Sequence, residues 1–182
     1  MNKSVIIIGA GLAGTVLANS LAKKSNFKTT VLEKGSRQKP LLEGNLYVAD
    51  KPNLNFTRGE GAGGTSNLWH SGLIRMPLAS AWADELIETP GWYEKAIALT
   101  SAILPDRSSN NKPLDVDEIY YPNQRFKPTL QSSISIEFGI DKTKIDPIRK
   151  RISYCCSGED RVKSYDILII CAGGIGTPAL LK

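Results

Sequence analysis

A glycine fingerprint near the amino terminus constrains the fold of this chain more than any other feature. Gly9-Ala10-Gly11-Leu12-Ala13-Gly14 reads G-x-G-x-x-G and stands between an apolar run, Ser4 to Ile8, and a stretch of helical spacing. The run before it is short and β-branched, without polar alternation, as a parallel strand buried on both faces requires. From Leu12 to Lys24, the residues Ala13, Leu17 and Leu21 share one stripe with Gly14 and Ala18 beside it. The spacing therefore predicts a helix lying close on a sheet, with Lys23 and Lys24 favourably placed in its last turn. A second run, Phe27 to Leu32, ends at Glu33 and completes a strand, helix, strand unit.

Each fingerprint position has a physical task. Gly9 permits a tight turn, Gly11 lets a pyrophosphate approach bare backbone, and Gly14 allows close contact between helix and strand. Leu12 and Ala13 open the helix, whose free amides and positive dipole end hold phosphate. Glu33 follows Gly14 by 19 residues, with Lys34 next to it, and its carboxylate is placed to accept hydrogen bonds from both hydroxyls of a ribose. A 2′-phosphate beside that carboxylate would be repelled, which disfavours NADP and leaves NAD and FAD open.

A second glycine cluster, Arg58-Gly59-Glu60-Gly61-Ala62-Gly63-Gly64-Thr65-Ser66-Asn67, puts four glycines in six positions ahead of two hydroxyls and an amide. Its amides could form an anion-binding nest, and Thr65, Ser66 or Asn67 could cap a helix. Loops this rich in glycine also serve flexibility or packing, and the residues alone leave both readings open.

Composition excludes several classes. A chain of 182 residues with 41% hydrophobic and 23% charged residues suits an ordinary folded domain and excludes disorder, collagen and a disulfide-rich miniprotein. The net charge of +5 is spread along the chain, so no nucleic-acid partner is expected. Lys142, Lys144, Arg149, Lys150 and Arg151 are interrupted by Asp141 and Asp146 and read as a solvated surface. Cys155, Cys156 and Cys171 cannot all pair within one chain and lack the spacing of a zinc site, so no metal is expected, and reduced thiols in a cytoplasmic setting are. The adjacent Cys155 and Cys156 lie in an expected strand and point to opposite faces. No apolar run is long enough for an export signal or a membrane span.

Elsewhere, strands are expected at Ser132 to Phe138, Arg151 to Cys156, Arg161 to Ser164 and Ile167 to Cys171, with a turn over Ser157 to Asp160. Helical spacing is present over Ala79 to Glu88 and Tyr93 to Leu104, and a short element around Leu46 to Val48. The stretch Pro105 to Pro128 has no sustained period and reads as loop.

Three motifs in order, GAGLAG, GGTSNLW and CAGGIGTPALL, resemble the glucose-methanol-choline (GMC) oxidoreductase family. The resemblance spans roughly residues 3 to 104 and 150 to 182, including Trp82 and Pro90-Gly91-Trp92. It implies an α/β fold: a Rossmann-like FAD domain with a mainly parallel sheet from residues 1–78 and 150–182, and a partial substrate or cap region over 79–149. It also implies FAD as cofactor and oxidation of a CH–OH donor, an alcohol or sugar. Gly63, Gly64, Thr65, Ser66 and Asn67 would then lie against the flavin and pyrophosphate, with Arg58 leading into them, and Ala172, Gly173 and Gly174 would cross back to the cofactor. Some members tether the flavin through a histidine where this chain has Leu68, so non-covalent binding is expected; His70 is displaced from that place and is a weak catalytic candidate. Family enzymes run to several hundred residues with a catalytic histidine near the carboxyl terminus. The expectation is therefore a flavin-binding half that is truncated or needs a partner chain or homo-oligomer. A non-catalytic flavin-binding protein and an NAD-dependent reductase are the alternatives.

Overall fold

In the first strand, β1 (Lys3–Ile8), Val5, Ile6, Ile7 and Ile8 are each at most 4% exposed, so successive side chains enter two different cores. The computed structural model describes residues 2–36, 44–45, 55–56, 59–67, 73–74, 91, 95, 102–103, 119–122 and 130–182. Helix α1 (Leu12–Ala22) and strand β2 (Phe27–Glu33) follow β1, and β2 lies parallel to it from the Lys3–Phe27 pair to the Ile8–Leu32 pair. Short pairs are formed by β3 (Gly44–Asn45) with β4 (Asn55–Phe56), ahead of a single 3-10 turn over Gly64–Asn67. Strands β5 (Leu73–Ile74), β6 (Ala102–Ile103) and β7 (Ile119–Pro122) come next. Then follow β8 (Ser135–Phe138), β9 (Ile140–Asp146), β10 (Arg151–Cys156), β11 (Glu159–Ser164), β12 (Ile167–Ile170) and helix α2 (Gly173–Leu180).

The central sheet has the order β12-β1-β2-β8 and is parallel throughout, the α/β, Rossmann-like arrangement expected from the sequence. One face packs on α1: Val5, Ile7 and Val31 meet Ala10, Ala18 and Ile134, with Leu17, Leu21 and Ile136 around them. The opposite face carries Ile6, Ile8 and Leu32 against Ile152, Tyr154 and Cys156 of an antiparallel meander, β11-β10-β9. Each buried isoleucine of β1 contributes roughly 1.5–3 kcal/mol of transfer free energy. Because neighbouring residues serve different cores, a slip of one register would exchange both sets.

The chain divides into two compact units, residues 1–68 with 127–182, and residues 69–126. The first unit takes in β8 and β9, which the sequence assigns to the cap region, because β8 pairs with β2 and β9 pairs with β10. Within the second unit β7 stands between β5 and β6, antiparallel to both.

Several local expectations are corrected. Ala13 is exposed, and the fully buried residues of α1 are Gly14, Thr15 and Ala18, with Leu17 and Leu21 partly buried beside them, since small side chains fit where the helix starts so near the end of β1. The helix stops at Ala22, which leaves Lys23 as its C-cap and no basic residue in its last turn. Ala102–Ile103 is strand where helical spacing was read, and β7 lies within the stretch read as loop. Cys155 is half-buried and Cys156 buried, as alternation along β10 requires. Helical spacing over 79–88 and the element around 46–48 lie outside the described residues.

Candidate functional site

The carboxyl ends of β1, β2 and β12 meet at one edge of the sheet, and the chain leaves each of them through glycine. Gly9 adopts φ +102°, a conformation costly for any side chain, and a Cβ there would stand 2.4 Å from the Cys171 carbonyl oxygen. Gly14 is tighter: its Cβ would fall 1.9 Å from the Gly9 oxygen. The turn, the helix start and the exit of β12 thus touch through bare backbone. Cys171 donates its amide to the Ile8 carbonyl at 2.7 Å, which brings Ala172 beside Gly9. Gly173 and Gly174 follow as exposed residues at the start of α2.

Gly11 behaves differently from its two partners. It has an ordinary extended backbone, φ −71° and ψ −170°, and a Cβ built on it meets nothing within 4 Å. Nothing in the protein demands glycine here except the open space itself. Gly11 also caps α1, whose start carries no capping side chain and no acidic residue in the first turn. An uncapped helix start of this kind favours an anion by its dipole and its unpaired amides.

The second glycine cluster docks directly on the first. The Gly63 amide donates to the Ala10 carbonyl at 2.8 Å, Gly11 and Gly63 form an isolated parallel bridge, and Gly64 passes so close that its Cβ would lie 3.0 Å from the Gly11 Cα. Positive φ angles at Gly61, Gly63 and Gly64 make this approach possible. The amides of Gly61, Gly63, Gly64 and Ser66 all donate to oxygens within the protein, so these four do not form an anion nest. Asn67 closes the turn by donating to the Ala62 and Gly64 carbonyls at 2.8 and 3.1 Å, and the Thr65 hydroxyl accepts from the Gly59 amide at 3.2 Å. The hydroxyl of Ser66 donates to the Gly63 carbonyl.

Glu33 joins the pieces. Only 6% exposed, it accepts from the Ala10 amide on Oε2 at 2.6 Å and from the amides of Gly35 and Gly61 on Oε1 at 2.8 and 2.9 Å. Lys34 turns outward and pairs with Glu60 at 3.0 Å, which ties the exit of β2 to the second glycine cluster on the surface side. Gly35 is required by this convergence, since its Cβ would stand 2.1 Å from the Gly61 nitrogen. The sequence pointed to Glu33 and Lys34, and to Gly61 only as part of the second glycine cluster, but not to Gly35 or Cys171. A glycine two places after an acid that ends a strand was the available signal for Gly35.

Behind the edge, Cys171 is half-buried, and burial pushes its thiol pKa up, which keeps it protonated and unreactive. Arg58, Leu68 and His70 lie outside the described residues. Among the described residues no group of three His, Cys, Asp or Glu could hold a metal, and no helix is long and apolar enough to cross a membrane.

Residues 7–38 match the model of an NAD(P)-binding Rossmann-like domain. Among solved structures, pyridoxine 4-oxidase from Mesorbium loti superposes with a TM-score of 0.70 at 15% identity, over 99% of this chain and 51% of its own. A formate oxidase variant from Aspergillus oryzae RIB40, characterised for FAD modification, superposes at 0.64 and 17% identity, over 99% and 47%. This chain has their fold. It spans about half the length of each. No curated protein sequence matches it.

Proposed function

We propose that the protein binds FAD non-covalently at the edge formed by β1, β2 and β12, as the nucleotide-binding half of an oxidoreductase acting on CH–OH donors. The carrying observation is the docking of the two glycine motifs through Gly63 and Ala10, which leaves Gly11 bare beside an uncapped helix. Open space at Gly11, where a Cβ would otherwise project, fits a diphosphate lying against backbone. In support stand the resemblance of GAGLAG, GGTSNLW and CAGGIGTPALL to GMC enzymes and the fold shared with two oxidases.

Each group of residues has its part. Gly9 and Gly14 set the turn, Leu12 and Ala13 present the helix start to the diphosphate, and Glu33 with Lys34 marks the ribose end. Gly63 to Asn67 form the wall toward the flavin, with Arg58 a further candidate by sequence, and Ala172 to Gly174 close the opposite side. The flavin supplies a hydride acceptor, at N5, for oxidation of an alcohol or sugar. We assign the cofactor domain to residues 1–78 and 150–182, extended by β8 and β9, and a substrate or cap role to the rest of 79–149. A base for the donor hydroxyl comes from a partner chain, a second copy or His70. The free thiols of Cys155, Cys156 and Cys171 suit the reducing cytoplasm.

An NAD-dependent reductase is the second reading, favoured by the family model over residues 7–38. The test is direct. Protein purified, or titrated with FAD, takes up the yellow flavin with quenched fluorescence and competes it with ADP. Colourless protein that binds NAD but no FAD overturns the assignment, and bound flavin that is bleached by dithionite but by no alcohol or sugar leaves a binding role without catalysis.

A further inference from the structure

We propose that the end of the parallel sheet opposite the glycine motifs is a docking face for an anionic lipid bilayer, built from an apolar hairpin tip set among exposed cations. Strands β12, β1 and β2 are parallel, so their amino ends share one edge, about 17 Å from the crevice along β1 at roughly 3.3 Å per residue. The turn between β9 and β10 stands beside that edge and is tied to it through backbone. The Tyr165 amide donates to the Lys150 carbonyl at 3.0 Å, the Asp166 amide to the Ser4 carbonyl at 2.9 Å, and the Lys3 amide to the Asn26 carbonyl at 2.9 Å. The turn, the starts of β12 and β1, and the loop from α1 to β2 therefore lie side by side.

Their charge is one-sided. Arg149, Lys150 and Arg151 are exposed at the turn, Lys3 at the start of β1, and Lys23, Lys24 and Lys28 flank the loop before β2. The acids of these segments, Asp146 and Asp166, are both engaged. Asp146 accepts from the Arg149 amide at 2.9 Å and faces its guanidinium at 3.4 Å, and Asp166 accepts from the Ser4 amide at 2.7 Å. At the tip, between Pro147 and Arg149, Ile148 is 93% exposed. Single exposed isoleucines are ordinary, but this one is held in place: the Asp146 carboxylate fixes the turn from within, and Lys150 closes it at φ +50°. A bilayer interface rewards both parts of the face. It takes an apolar tip among the acyl chains and draws cations to its headgroups, by about fivefold in partition for each cation near the surface. Nucleic acid would reward the cations alone and gives an isoleucine nothing to enter. Neither signal holds a protein on a membrane by itself, so the association is reversible, and a chain docked by this end keeps its crevice turned away from the lipid.

The experiment is flotation of the full chain with phosphatidylcholine vesicles carrying about 30% phosphatidylserine, with pure phosphatidylcholine vesicles and a short DNA duplex as the other arms. The chain binds the phosphatidylserine vesicles about tenfold or more above the neutral ones, and less as salt rises. Ile148→Ser weakens this binding by about threefold or more, and Lys150→Glu by about fivefold or more. Lys142→Glu is the control. It makes the same change of charge at the same kind of backbone position, φ +49°, near the far end of β9, and stays within about twofold. All three sites are exposed, so the variants keep the wild-type circular dichroism; should one unfold, the lipid comparison on the wild type decides with the others. No preference for phosphatidylserine overturns the proposal. So does an equal loss in Lys142→Glu and Lys150→Glu, which would show net charge acting without the face. Binding untouched by Ile148→Ser, or matched by the duplex, shows a general polyanion surface and overturns it too. No arm depends on the cofactor assignment.

Discussion

Gly11 and Gly14 belong to one motif but answer to different forces, and alanine at each separates folding from binding. At Gly14 the added methyl carbon would lie 1.9 Å from the Gly9 oxygen, where real contacts essentially never fall below 3.0 Å. The helix must move by about 1 Å, and overpacking of this kind costs roughly 1–3 kcal/mol. The helix preference of alanine over glycine, up to about 1 kcal/mol, offsets part of this, so Gly14→Ala is destabilised by roughly 1–2 kcal/mol. At Gly11 the methyl meets nothing within 4 Å and the backbone is one that alanine adopts freely. A poorer cap and a less flexible unfolded chain act in opposite directions there, each by less than about 1 kcal/mol, so stability barely changes. Binding changes instead. A methyl standing where the diphosphate lies breaks at least one charge-assisted hydrogen bond worth about 1.5–3 kcal/mol, a loss of at least tenfold in affinity for FAD and ADP. Urea unfolding followed by circular dichroism reads the first effect and calorimetric titration the second. Gly11→Ala binding FAD within twofold of the wild type, or Gly14→Ala as stable as the wild type, would refute the reasoning.

Further outcomes follow from the packing between sheet and meander. Glu137 accepts from the Tyr154 hydroxyl at 2.8 Å and pairs with Lys163 at 2.8 Å and Arg161 at 3.1 Å. Burial pushes its carboxyl up, but the hydrogen bonds from Lys163 and Tyr154 and the Lys163 charge outweigh this and hold it below the ordinary glutamate value. A lowered carboxyl stabilises the fold above its unfolded value and loses that contribution as pH falls through the folded one. Glu137→Gln is therefore destabilised by about 1–3 kcal/mol at pH 7, and the gap in urea midpoint closes in acid; a gap that persists unchanged at low pH refutes this. Arg161 also meets Glu159 at 3.0 Å on the exposed side, and Glu159→Gln leaves thermal stability within about 0.5 kcal/mol. Thr29 has a buried hydroxyl without a partner among the described residues, so Thr29→Val keeps or raises the urea midpoint; a clear fall would reveal a missed bond. Alkylation followed by mass spectrometry finds Cys171 slower than a free thiol at neutral pH, because burial raises its pKa.

The first strand, the helix and the second strand were legible because the chemistry there is local: an apolar run, a glycine turn and a closing acid within one short span. Convergence of the three motifs was legible only through resemblance, since nothing within a segment tells that Gly63 will find Ala10. Strand β9 went unread because Asp141, Lys142 and Lys144 are exposed there and give the appearance of a charged loop, while its apolar positions, Ile140 and Ile145, are few and widely spaced. Helix α2 was hidden for a different reason. Gly173, Gly174, Gly176 and Pro178 all oppose helix formation, and Leu180 alone of its side chains packs against the core beneath the meander. The role of Glu33 was half legible: its place at the end of β2 followed from spacing, whereas its engagement with three amides depends on Gly35 and Gly61 arriving from either side.

The contact between Gly9 and the Cys171 carbonyl has a temporal meaning as well as a spatial one. A ribosome would release the phosphate turn early, yet its neighbour on the sheet emerges some 160 residues later, so the crevice stays unfinished throughout that interval of synthesis. Nucleotide capture would then follow the emergence of β12, and free cofactor in the cell would act on chains that have reached that point, drawing the crevice into its folded state by mass action.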